Sequence, residues 1–457
     1  MKTSGKVVTG GVALAVVGGG IWAFTAFGLN NVDLAEAAPQ GSATYMEVNL
    51  DPSVSQKVAA MSLGKKISSI TGDESIKDGN LMKSISEDDF PGLNYENDID
   101  PWLGDKTAAV GFNEDFDVVS VYTIDDKAKA EEQVKKVSDK DKVYEVQDKW
   151  IVVAENKSKL DAYHKSFEGK ETLNKDEVFK KDRQAAGDNI AYGWFDLSKA
   201  NNKTEELGYD VDTPEVSGRV SAALSLSSNS VDLKAKTYEM KIDGETSWNT
   251  DQKGAQLIQG FSESAVAGFE VVDLSNSIKN NWEKLYQNDD MKAQLQEGLD
   301  PVEETLGIKI PDEIEKILGN NLAFAYNDTN TMELAAKGAD KETWENLYNL
   351  AVSFAAPEED FGVLTTEGDV QKFMYNYTSN GETESETRLG DTDSFKKAMP
   401  NLEEAQVAAY VDLDKMIKLD EVEEKKGENV DEGAIGLTMS YDKEKDEGNL
   451  SAKWLLR

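Results

Sequence analysis

The apolar positions of this chain follow two regimes. From Val7 to Leu29 they run almost unbroken, with no charged residue between Lys6 and Asp33. After Asp33 they come in short groups of alternating or helical spacing, cut by polar turns. The first regime predicts one long helix. Its 23 residues would extend about 34 Å at 1.5 Å per residue, enough to cross a ~30 Å hydrocarbon core. The apolar part of a secretion signal is usually about 7–15 residues, so the length favours an anchor that stays. Lys2 and Lys6 precede the run while Asp33 and Glu36 follow it. The positive-inside rule then places the N-terminus in the cytoplasm and the bulk of the chain outside. The alternative is cleavage at Ala37, because Ala35-Glu36-Ala37 has the small-x-small form of a processing site. Gly11, Ala15 and Gly19 recur at four-residue spacing, a face on which two such helices could pair weakly.

The second regime predicts strands joined by short turns, with helices between them. Thr44–Asn49 reads as a strand feeding a helix opened by Pro52 and Ser53, with Asp51 as its cap. "TAAVGF" and "DVVSVYTI" form a hairpin across "NEDF". "DDKAKAEEQVKKV" is an amphipathic helix capped by Asp125 or Asp126. "KVYEVQDKWIVVAEN" is a second hairpin turning at Gln147–Asp148, and "KSKLDAYHKSF" another helix. Later come "LAFAY" and "TMELAAK", the helix "DKETWENLYNLAVSF", a hairpin of "VQKFMYNYT" with "ETESETRLG", and a terminal hairpin of "AIGLTMSYD" with "NLSAKWLLR". Short turns imply antiparallel pairing.

The plan is written twice. Glu47 and Glu270 lie 223 residues apart, Leu103 and Leu318 lie 215 apart, Asp196 and Asp412 lie 216 apart, and Gly218 and Gly433 lie 215 apart. Several matched pairs in one order at nearly one offset point to tandem duplication. The expected fold class is therefore α+β: an N-terminal transmembrane helix, then two duplicated modules of antiparallel sheet with helices on one face. The expected domains are a cytoplasmic tail at 1–6, the anchor at 7–29, a linker at 30–40, and modules at 41–243 and 254–457.

Charge narrows the partners. The formal net charge is −38, and only Arg183, Arg219, Arg388 and Arg457 are arginines. Such a chain repels phosphate polymers, so nucleic acid is excluded. Attraction to anionic lipid headgroups is disfavoured for the same reason. There is no cysteine, hence no disulfide and no thiolate metal site.

Chemistry-bearing motifs are absent. The one histidine, His164, sits in "LDAYHKSF" and reads as a surface residue. "GFSES" fails the nucleophile-elbow pattern at its final glycine, and no phosphate-binding glycine loop occurs. The acidic stretches Asn97–Trp102, Asn113–Asp117 and Asp442–Asn449 hold oxygen ligands that calcium favours, but their spacing is that of polar turns. Asn49, Asp196, Asp273 and Asp412 each follow a strand, which fits helix capping better than paired catalysis. Asn49 stands where the other three carry a carboxylate. The aromatics Trp102, Trp150, Trp194, Phe324 and Tyr410 are either core or the lining of a groove shared by the modules.

"YMEVNLDPSVSQK", "PWLGDKTAAVGF" and "VVSVYTIDDKAKAEEQVKK" together resemble the domain of unknown function 3352 family, a group of exported bacterial proteins. The resemblance implies an anchored, extracytoplasmic protein and supplies no activity. The expectation is a non-enzymatic binding or interaction module of the cell envelope, without cofactor, metal or catalytic residue. Its ligand would be an envelope protein, the wall or a lipid. A lipid or glycolipid carrier, or a carboxylate-based hydrolase, are the alternatives.

Overall fold

The computed structural model describes residues 32–49, 53–71, 86, 89–113, 117–137, 142–199, 216–242, 245–246, 250, 252–285, 297, 299–300, 303–304, 306–328, 331–354, 362–376, 387–419 and 433–456. Among these, no helix is long and apolar enough to cross a membrane. Val7–Leu29 and Asp51 lie outside them. The chain divides into two compact units, Met1–Glu245 and Thr246–Arg457.

The first unit is an antiparallel sheet of β1 (Thr44–Asn49), β2 (Leu103–Gly111), β3 (Val118–Ile124), β4 (Val143–Val146), β5 (Trp150–Ala154), β6 (Ala191–Asp196), β7 (Val216–Ser227) and β8 (Ser230–Ile242). Their order across the sheet is β4-β5-β3-β2-β1-β6-β7-β8. Between the strands run α1 (Val54–Thr71), α2 (Lys127–Gln133), α3 (Lys157–Ser166) and α4 (Glu177–Ala186). Asp126 caps α2 through the Lys129 amide, and Asn156 caps α3 through that of Lys159; each such cap contributes about 1 kcal/mol.

The second unit lays β9 (Ala265–Val272), β10 (Asn321–Asn327), β11 (Thr331–Lys337), β12 (Val363–Glu367), β13 (Val370–Asn376), β14 (Val407–Asp412), β15 (Ala434–Asp442) and β16 (Glu447–Leu455) in the order β12-β13-β11-β10-β9-β14-β15-β16. This is the order of the first unit, strand for strand. Its longer helices are α5 (Leu274–Leu285) and α6 (Lys341–Phe354), with the short α7 (Asp393–Ala398) and α8 (Leu413–Leu419). Gly218, at an irregularity near the start of β7, and Gly433, just before β15, have φ of +112° and +83°. A Cβ on Gly433 would lie 1.7 Å from the Leu455 carbonyl oxygen, and one on Gly218 2.7 Å from that of Glu239. Only glycine tolerates both the angle and the approach.

Three expectations need correction. The sheet of each unit carries apolar cores on both faces, not helices on one. In the first unit Tyr45, Val110, Val121, Val152 and Trp194 face one way, toward α3 and α4. Tyr122, Ile124, Ile151 and Val153 face the other, beneath Phe90, Tyr95, Ile99 and Trp102. A strand alternates its side chains, so apolar residues at both parities require cover on both sides.

Over its described residues, 32–40, the linker expected at 30–40 is also a piece of the fold. Asp33 caps a helical turn, Leu34–Ala37, in which Leu34, Ala35 and Ala37 are buried, as is the following Ala38. The turn is tied down by the Tyr163 hydroxyl on the Ala37 carbonyl and the Leu173 amide on that of Ala38. Likewise Thr250 is buried before the boundary expected at 254. Finally, β13 pairs with β12 and β11, while residues 382–386 of the expected partner "ETESETRLG" lie outside the described residues. The tight turn at Gly368–Asp369, with Gly368 at φ +64°, closes that hairpin in the fewest residues.

Candidate functional site

A polar groove of about 410 Å³ opens in the first unit between the end of α4, β1, β6 and the turn at Asp33. That is within the size range of small-molecule sites, about 300–1,000 Å³. The sequence places its parts as follows. Asp176 caps α4 by accepting from the amides of Val178 and Phe179, and Gly187 ends the helix at φ +70°. With the helix so framed, Phe179 and Arg183 share the face turned to the sheet. Phe179 packs edge-on against Tyr45, Trp194 and Tyr192.

Arg183 reaches over this aromatic floor to two carboxylates. Its Nη2 donates to Glu47 Oε1 at 3.0 Å and Oε2 at 2.9 Å, and its Nη1 to Asp33 Oδ1 at 2.7 Å. The Tyr45 hydroxyl donates to Glu47 from the other side. Burial first, then the neighbouring Glu47 charge, pushes the Tyr45 hydroxyl well above its ordinary range, so it remains a donor. Burial alone would lower Arg183; the Glu47 and Asp33 carboxylates outweigh it and hold the guanidinium charged. Glu47 itself is 7% exposed.

Around this pair the groove is lined by Asn49, Asn174, Gln184 and Asn189, by Lys180 and Asp188, and by Tyr192. Lys180 is paired with Glu177, and Asp188 accepts from Ser53. Tyr192 is buried, and its hydroxyl has no hydrogen-bond partner among the described residues. Beside it Asp182 accepts from Trp194 Nε1 at 3.1 Å and Arg219 Nε at 3.3 Å, while its Oδ1 has no partner. Burial raises the Asp182 carboxyl above the usual range.

The second unit offers a comparison at every one of these positions. Glu47 stands opposite Ala108 and Tyr192; Glu270 stands opposite Ala323 and Ala408. Tyr192 thus corresponds to Ala408 and Asn49 to Val272. Phe395 follows its cap Thr392 as Phe179 follows Asp176, so Asp182 and Arg183 correspond to Ala398 and Met399. Glu270 meets no arginine there. It accepts from the Ile258 amide at 2.9 Å and Asn321 Nδ2 at 3.2 Å. Burial raises its carboxyl despite those donors.

The residues weighed from sequence lie elsewhere. His164 is exposed on α3, 2.7 Å from Glu145. Asp412 accepts from the Lys415 amide at 3.2 Å, and Asp196 from that of Ser198 at 3.2 Å, both as caps. Trp102, Trp194 and Tyr410 are core; Trp150 packs against it; Phe324 is exposed. The described carboxylates of the acidic turns are held by neighbouring side chains. Asp100 accepts from Tyr95, Asp117 pairs with Lys159, and Asp442 pairs with Lys445. Among the described residues no group of His, Asp and Glu could hold a metal ion.

The pattern of the sequence predicts neither helix α4 nor a site role for Arg183. The signal that finds them is Asp176 as a cap, Phe179 and Arg183 four apart, and Gly187 beyond the end.

No family model matches the chain, and no curated protein matches it. Crystal form III of TP0453 is similar at 12% identity over 48% of this chain and 83% of that one, with a TM-score of 0.27. Crystal form I of TP0453 gives 11% identity over 46% and 80%, with a TM-score of 0.25.

Proposed function

We propose that this chain is a non-enzymatic binding protein of the cell envelope, held by an uncut Val7–Leu29 helix with the bulk of the chain outside. We read its two units as copies of one module. The first copy carries the ligand site, in the groove beside Arg183. One observation carries this reading: the groove residues Asn49, Arg183 and Tyr192 stand where the other unit has Val272, Met399 and Ala408, on a sheet of the same strand order. Ordinary core maintenance calls for apolar residues at such positions. Polar ones persist at a cost in stability, which a ligand site explains. The buried turn Leu34–Ala38 supports an uncut anchor, since a cut after Ala37 would remove part of the core. The resemblance to the domain of unknown function 3352 family agrees with export.

Native mass spectrometry of the full chain purified from membranes tests this. The uncleaved chain with a small polar adduct, lost in Gln184→Ala, is expected. A chain beginning at Ala38 overturns the anchor, and an adduct-free chain overturns the binding role. A lipid adduct would favour the carrier reading instead. That reading has one observation behind it: Phe269 and Phe324 lie opposite one another on β9 and β10, both exposed.

A further inference from the structure

We infer that the ligand of the Arg183 groove is a neutral, hydroxyl-rich molecule, a saccharide; this rests on reading the groove as the ligand site. The charges argue it first. The groove holds three carboxylates, Asp33, Glu47 and Asp188, against two cations, Arg183 and Lys180. Both cations already face carboxylates, Arg183 those of Asp33 and Glu47, and Lys180 that of Glu177. An anionic ligand would meet a surplus of negative charge in a chain of net charge −38. A bare cation would lie against the Arg183 guanidinium.

What the walls still offer is amide chemistry. Asn174 Oδ1 accepts from the Thr172 hydroxyl and Asn189 Nδ2 donates to the Gly187 carbonyl; beyond those two bonds Asn174, Gln184 and Asn189 each keep donor and acceptor capacity on one side chain. A sugar hydroxyl is likewise donor and acceptor at once, so it pairs with such groups in either sense. The second observation is Tyr192. It lines the groove, and its buried hydroxyl has no partner among the described residues. Burial raises its pKa, with the Asp182 charge adding to the effect, so it stays a neutral hydroxyl. A wall of this kind adds no charge to the groove, in keeping with an uncharged ligand.

Saturation-transfer NMR on the full chain in detergent tests the assignment. The probes are N-acetylglucosamine, methyl glucoside and maltose, with glucose 1-phosphate as the charged counterpart. Transfer to at least one neutral sugar at millimolar concentration is expected. It should weaken about tenfold in Gln184→Ala or Asn189→Ala, the loss of one hydrogen bond. Both variants should retain the circular dichroism of the parent. Glucose 1-phosphate should transfer less than methyl glucoside. Silence from every neutral sugar overturns the ligand class and leaves the groove reading to the mass-spectrometric test. Stronger transfer to glucose 1-phosphate also overturns it, in favour of an anion site. Sugar binding that both variants leave unchanged overturns the location.

Discussion

Arg183→Met places in the first unit the residue that the second unit has at the corresponding position, Met399. In the parent, Glu47 is buried and takes two bonds from Arg183 and one from Tyr45. The substitution leaves that carboxylate buried with no cation beside it. Breaking a buried ion pair by deleting one partner costs about 3–5 kcal/mol. The Arg183 side chain is 29% exposed, so water already shares its solvation and the lower end, about 3 kcal/mol, applies. The paired change Arg183→Met with Glu47→Gln removes both charges and should recover most of the loss, because exchanging a whole buried pair is near neutral.

A single unfolding free energy is ill-defined for a chain of two units, so the assay is native-state hydrogen exchange read by peptide. Opening of β1 and α4 should accelerate about 100-fold in Arg183→Met, at tenfold per 1.4 kcal/mol. Peptides of the second unit should not change. If the single variant accelerates exchange less than about fivefold, or if the paired variant is as loose as the single one, the account of the pair fails.

Other perturbations follow from the same contacts. Leu34→Ala should cost the first unit about 2–5 kcal/mol, whereas a linker residue would give no measurable change in that exchange experiment. Glu270 has its pKa raised by burial, so the folded state binds its proton more tightly than the unfolded one. Its contribution is complete below the ordinary carboxylate range, near pH 4, and is lost as pH rises through the raised value. Second-unit protection should therefore fall relative to Glu270→Gln across that window, and a flat difference would refute the shift. His164→Ala removes an exposed contact to Glu145 and should alter stability by less than about 1 kcal/mol, with sugar transfer unchanged. Gly433→Ala drives a Cβ into the Leu455 carbonyl and should loosen β15 and β16 by more than about 1 kcal/mol, seen as faster exchange there.

The strands were legible because period-two runs and turn residues are local signals. The hairpins β2–β3, β4–β5 and β15–β16 stand where alternation and short polar breaks put them. The caps Asp126, Asp196 and Asp412 were legible for the same reason. What failed was non-local. Leu34–Ala38 follows a long apolar run and carries the small residues of a processing site, so its composition suggests a tail. Only contact with Tyr163 and Leu173 makes it core. Arg183 meets a glutamate 136 positions away, a distance at which no periodicity informs. The pairing of "VQKFMYNYT" was misread because either neighbouring polar-and-apolar stretch could close a hairpin; the glycine at 368 decides between them.

The two offsets of the repeat bear on where function could diverge. The units match at 223 residues in β1 and β9, at 215 in β2 and β10, and at 216 in β6 and β14. The first unit is thus longer by the difference in the connection after β1. That connection supplies Phe90, Tyr95, Ile99 and Trp102, which cover the second face of the sheet. The groove lies on the other face, built by the Asp33 turn, α4 and strand positions of fixed spacing. Its chemistry therefore differs from the other unit by substitution on a retained frame, not by inserted chain. Each unit keeps a buried glutamate at the same register, and each satisfies it differently: by Arg183 in one, by the Ile258 amide and Asn321 in the other. The carboxylate is the shared element and the cation the variable one. If Arg183 only neutralised Glu47, the amide solution of the second unit would serve as well. Retaining an arginine there, beside a polar groove, is what the proposed ligand would account for.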